Sequence, residues 1–166
     1  MSKTRLLTFF IINILLLIPS VIILKSGEIL FDEFYVEVKD LDVLTKENYA
    51  ILTLYTEKGS LDMIIDLNQA QSIIMALKNE TPYRPLTHDI ISNILNETYE
   101  KIIAVAIEKL ENDTYFANLY ITCRGKIKTI DIRPSDGIAI ALRLNIPIYV
   151  NKYLIKEKET ERKIEL

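Results

Sequence analysis

Apolar and polar residues alternate along four stretches of the chain, a pattern that turns one side of each stretch toward a core and the other toward water. Tyr35-Val36-Glu37-Val38 and Ala50 to Thr56 form one pair, and Ile102 to Leu110 and Tyr115 to Thr122 another, so all four are expected as strands. The period becomes helical at Ala70, Ile73, Ile74 and Leu77, and again at Ile138, Ile140, Ala141 and Leu144. Between these helices, Thr87 to Asn96 reads as a further one, with Thr87 as N-cap and Ile90, Ile91, Ile94 and Leu95 as its buried stripe. Pro147-Ile148-Tyr149-Val150 reads as a short last strand opened by a proline. Lys156 to Leu166 alternates charge without an apolar face, as a solvated tail does.

Two of these blocks match each other. A shift of 66 residues sets Tyr49 on Tyr115, Thr56 on Thr122, Gly59 on Gly125, Leu61 on Ile127 and Ile64 on Ile130. A shift of 65 then sets Asp66 on Asp131, Ile73 on Ile138, Ala76 on Ala141 and Leu77 on Leu142. The expected fold is α+β: duplicated βββα units in a mixed or antiparallel sheet with helices, preceded by an N-terminal apolar helix.

That first helix is drawn from Leu6 to Leu24, nineteen residues without a charge, preceded by Lys3 and Arg5 and followed by Lys25. The length approaches the roughly 20 residues that cross a bilayer. Residues 1–25 are therefore expected to be a membrane anchor or signal-like segment. The uncleaved single-pass anchor is favoured, because no small-residue cleavage site follows. Residues 34–152 form the folded domain and 153–166 the charged tail.

Charge narrows the function classes. The 20 basic residues lose three with residues 1–25, leaving 17 against 23 acidic ones, a net charge of −6. Non-specific binding to a polyanion is thereby disfavoured, and nucleic acid contact requires a local basic patch. One cysteine, Cys123, and one histidine, His88, cannot build a disulfide or a Cys/His zinc site. Cys123 reads as a small buried hydrophobe.

Candidate chemistry gathers at two related corners, Arg84-Pro85-Leu86-Thr87-His88-Asp89 and Asp131-Ile132-Arg133-Pro134-Ser135-Asp136. Each joins an arginine to a carboxylate through a proline near a helix start, where outward N–H groups favour anions. Arg84 and Arg133 suit phosphoryl oxygens, and His88 can exchange protons near neutrality. Asp89, Asp131 and Asp136 are oxygen groups of the kind that orient water or hold Mg²⁺ or Mn²⁺. Ser135 can join the arginines in binding substrate. Arg124, Lys126 and Lys128, spaced by two, form a basic stripe on one strand face. The other reading is a non-catalytic binding or assembly domain, in which Arg84 pairs with Asp136 and Arg133 with Asp89 across the two halves.

These corners, together with Tyr115-Phe116-Ala117-Asn118-Leu119 and Ile146-Pro147-Ile148-Tyr149-Val150, resemble the bifunctional nuclease domain family over about residues 34 to 152. The resemblance implies an α+β fold with a duplicated core, degradation of RNA and DNA, and assembly into oligomers. It maps the family's patterned residues onto Arg84, Thr87, His88, Asp89, Asp131, Arg133, Ser135 and Asp136. The chain departs from the family pattern where Gln69-Ala70 replaces a Glu-Ala pair, and where Gly137 replaces alanine. Gly137 is expected to cost helix stability alone, about 1 kcal/mol against alanine.

Overall fold

The computed structural model describes residues 21–23, 29–31, 34–98 and 101–157, and the chain divides at Phe34 into two units. In the first unit, β1 (Val21–Ile23) pairs antiparallel with β2 (Ile29–Phe31). The anchor expected at residues 6–24, and the membrane location drawn from it, are thereby corrected. No helix among the described residues is long and apolar enough to cross a membrane. The part of the segment that is described, the β-branched run Val21-Ile22-Ile23, is strand, the conformation such side chains favour. The rest of it lies outside the described residues.

The second unit is α+β. In order it runs β3 (Tyr35–Thr45), β4 (Ala50–Thr56), β5 (Gly59–Ile65), α1 (Leu67–Leu77), α2 (Thr87–Glu97), β6 (Ile102–Glu111), β7 (Thr114–Cys123), β8 (Lys126–Ile132), α3 (Pro134–Leu144), β9 (Ile148–Asn151), a turn of 3₁₀ helix and β10 (Lys156–Glu157). Seven strands make a mixed sheet in the order β5-β4-β3-β9-β6-β7-β8, and the two-residue β10 extends it beside β5. β9 lies antiparallel to β3 and parallel to β6, so the two three-stranded halves join through it. The charged tail therefore begins as an edge strand, with Lys156 Nζ 3.6 Å from Asp62.

Tight turns set the registers. Asn112-Asp113 and Arg124-Gly125 all take positive φ, the two-residue geometry whose twist matches that of the flanking strands. One face of the sheet supplies Leu52, Leu54, Leu61, Met63, Val105, Ile107, Leu119 and Val150 to a core closed by Ile73 of α1 and Ile138, Ala139 and Ala141 of α3. Each fully buried side chain of this size contributes roughly 1.5–3 kcal/mol. On the opposite face the hydroxyls of Tyr35 and Tyr120 donate to Glu108, the extra residue of a bulge in β6. Burial, then Glu108, pushes the Tyr120 phenol up.

The helices differ from the sequence reading in three respects. The cap of α2 is Leu86, with Thr87 its first residue, because Asp89 reaches back to accept the Leu86 N–H at 2.7 Å. The inward side of α2 carries His88, Ser92 and Leu95, whereas Ile90, Ile91 and Ile94 are exposed. Polar anchoring of its first turn thus overrides the apolar stripe. α3 begins at Pro134 and ends at Asn145 in the left-handed conformation. Gly137 does more than weaken that helix, since a Cβ there would stand 2.9 Å from Val105 Cγ1, so its absence lets α3 settle on β6.

Candidate functional site

Three helix openings face one cleft. Asn68 and Gln69 of α1, Leu86 to His88 of α2, and Arg133 and Asp136 of α3 line a space of about 440 Å³, with Ser72, Ile91 and Ile140 in its walls. Each opening presents N–H groups without helical partners and the positive end of a helix dipole, equivalent to roughly half a charge. Arg133, its side chain 62% exposed, adds a positive charge at the rim that the paired Asp136 partly offsets. A cleft of this kind attracts an anion.

A hydrogen-bonded chain links the three helices beneath it. Asp136 accepts from Arg133 Nε at 2.7 Å and Nη2 at 3.2 Å, and its Oδ1 lies 3.1 Å from His88 Nε2. On the other side of the ring, His88 Nδ1 lies 2.8 Å from Ser72 Oγ. Ser72 Oγ accepts from Arg143 Nη2 at 3.0 Å, while Arg143 also donates to the carbonyls of Ala139 and Ser72 and to Asp89. These donors fix the imidazole tautomer. A carboxylate only accepts, so Nε2 carries the proton toward Asp136, and Nδ1 accepts from the Ser72 hydroxyl, whose oxygen is already served by Arg143.

Electrostatics separate the two acidic residues. Burial opposes charge on Asp89, but the hydrogen bonds from Arg143 and Leu86 hold its pKa below the ordinary carboxylate value. It is committed to the scaffold. Asp136 faces the cleft, and its hydrogen bond holds Arg133 charged above the usual arginine value, with smaller help from Asp66. The Gln69 Oε1 is buried at the cleft with no hydrogen-bond partner among the described residues. No group of three or more His, Cys, Asp or Glu is set to hold a metal among the described residues.

Of the residues singled out by sequence, His88, Arg133 and Asp136 meet at the cleft. Ser135 is buried at the head of α3 and faces a neighbouring cleft on the far side of Arg133. The pairs Arg84–Asp136 and Arg133–Asp89 do not form: Asp136 takes the arginine three residues before it, and Asp89 takes Arg143. Arg84 is exposed and lines neither cleft. Asp131 is exposed and pairs with Asn118, whereas its neighbour Ile132 pairs with the buried Ala117, so strand alternation points Asp131 away from the helices. Arg124 sits in the β7–β8 turn rather than on the strand, leaving Lys126 and Lys128 on the edge strand β8. Sequence reasoning missed Ser72 and Arg143. Their signals were a serine beside the apolar stripe of α1 and a lone arginine in the apolar run Gly137 to Leu144.

The model of the bifunctional nuclease domain matches residues 50–163. An uncharacterized protein of Mycobacterium tuberculosis is 32% identical over 124 residues, 74% of each chain. Bifunctional nuclease 1 of Arabidopsis thaliana is 32% identical over 108 residues, 63% of this chain and 33% of that protein. Bifunctional nuclease 2 of the same plant is 32% identical over 116 residues, 64% of this chain and 35% of that one. The chain thus spans about a third of the plant proteins it matches. With the match to the family model covering more than half of its length, this chain belongs to the bifunctional nuclease domain family.

Proposed function

We propose that the chain is a nuclease that hydrolyses phosphodiester bonds of RNA or DNA in the cleft at the three helix openings. The observation that carries this reading is the convergence of three helix N-termini and Arg133 on a space bordered by a hydrogen-bonded His88–Asp136 pair. Family membership and the plant relatives named as bifunctional nucleases support it. So does the repeated βββα order, since one half supplies α1 and the other α3 to the same cleft.

Arg133 spends two of its donors on Asp136, and the remaining part of its fork holds phosphoryl oxygens with the N–H groups of the helix openings. Asp136, positioned by the Nε2–H of His88, takes the proton of the attacking water on a carboxylate oxygen and returns it to the leaving oxygen. Ser72 keeps the ring turned toward Asp136. Arg84 and the edge of Arg124, Lys126 and Lys128 are assigned to outer contacts with the strand. Asp136 is the carboxylate at the cleft that would help hold Mg²⁺ or Mn²⁺, a requirement that the chelator arm of the test reads.

The test is cleavage of single-stranded RNA and DNA by the full chain, with and without chelator. His88→Ala should slow cleavage by a factor on the order of 10²–10⁴. Arg133→Ala should raise KM. Parental rates from both variants would refute the assignment.

A further inference from the structure

Arg133 is shared by a second cleft. Its other side is a space of about 290 Å³ whose walls include Tyr49, Ile64, Asp66, Asp113 and Tyr115. Tyr49 and Ile64 are 41% and 75% exposed, and the Tyr115 hydroxyl donates to the Asp62 carbonyl at 3.5 Å, the long limit of a hydrogen bond. Asp66 stands at the N-cap of α1, yet its carboxylate makes no capping hydrogen bond.

Away from Arg133, the chemistry of this second space differs from that of the first. The first combines helix N-termini with an arginine and suits a phosphate. The second offers two phenol rings, an exposed isoleucine and two carboxylates, which repel phosphate but accept hydrogen bonds. An uncharged aromatic ring that carries amino donors satisfies both sets of groups. A base one nucleotide from a phosphate held at Arg133 is such a ring, and it can enter only if it is not already stacked and paired in a duplex.

We propose that this second cleft is a nucleobase subsite for single-stranded nucleic acid. The base stacks on Tyr49 and Tyr115 and donates its exocyclic amino group to Asp66 or Asp113. Cytosine, adenine and guanine carry that group, whereas uracil and thymine present carbonyls that the carboxylates disfavour. The proposal rests on the reading of the first cleft as the phosphate site.

The test is fluorescence anisotropy of the full chain, in the His88→Ala background so that strands survive. Its probes are labelled oligocytidylate, oligouridylate and a base-free sugar-phosphate strand of equal length. Tyr49→Ala and Tyr115→Ala should each weaken oligocytidylate on the order of tenfold, the loss expected for a stacked base, and leave the base-free strand unchanged. Tyr115→Phe keeps the ring and should keep the affinity, which separates stacking from any loss of fold. Asp66→Asn with Asp113→Asn should narrow the preference for oligocytidylate over oligouridylate. Equal losses on base-bearing and base-free strands, or none on either, would overturn the subsite. If the base-free strand fails to bind even without the tyrosine changes, or binds equally to Arg133→Ala, the phosphate reading falls first and this one with it.

Discussion

Replacing Gly137 with alanine sets helix propensity against packing. Within a helix the change from glycine gains about 1 kcal/mol. The new methyl, however, would lie 2.9 Å from Val105 Cγ1 and 3.3 Å from Ile132 Cγ2, inside the roughly 3.5–4.0 Å of a comfortable carbon contact. Val105 is fully buried. Overpacking of this kind costs about 1–3 kcal/mol, so the net effect runs from neutral to a loss of about 2 kcal/mol. Urea unfolding of the full chain measures it, and each kcal/mol should move Tm by about 2–4 °C. A second arm isolates the cause: once Val105→Ala has emptied the contact, Gly137→Ala should stabilise by about 1 kcal/mol. A gain of that size in the parent chain, or the same effect in both backgrounds, would refute the packing argument.

Arg143→Met removes a partner of Asp89, Ser72 and the Ala139 carbonyl, and should cost about 3 kcal/mol in denaturant unfolding because a half-buried carboxylate loses its cation and keeps only the Leu86 N–H; a loss under about 1 kcal/mol would contradict this. The Asp89 carboxyl has a lowered folded-state pKa, so its contribution is complete above the unfolded carboxylate range and fades as pH falls through the folded value. Asp89→Asn should therefore destabilise near pH 7 and do so progressively less in acid, and a penalty constant with pH would count against the ion pair. Gly59→Ala would bring a Cβ to 2.1 Å from the Lys156 carbonyl oxygen. It should expel β10 from the sheet edge, seen as lost amide protection at Lys156 and Glu157; retained protection there would show that the edge adapts.

Strands were readable because their alternation is imposed by burial on one face, and α3 was readable because Pro134 and Asp136 mark its opening chemically. The partners of the site were harder to read. Pairing of Asp89 with Arg143 joins residues 54 apart, and pairing of His88 with Asp136 joins residues 48 apart, separations that no local pattern encodes. Asp131 misled for a simple geometric reason: it sits one residue from the side of the strand that faces the helices. α2 misled in the opposite way. Its isoleucines make the stronger stripe, but the polar bonds of His88 and Asp89 set its rotation. The run Leu6 to Leu24 reads as membrane-spanning by length alone, and length carries no information about the strand pairing that Val21–Ile23 makes with Ile29–Phe31.

The position of β9 has a consequence for synthesis. A ribosome delivers β3 and β6 long before Ile148–Asn151, so the nascent chain carries two unsealed borders, each with a row of unsatisfied amides and carbonyls. Completion of the sheet is a late event of high contact order, and chains that terminate before Ile148 retain both borders as templates for aggregation.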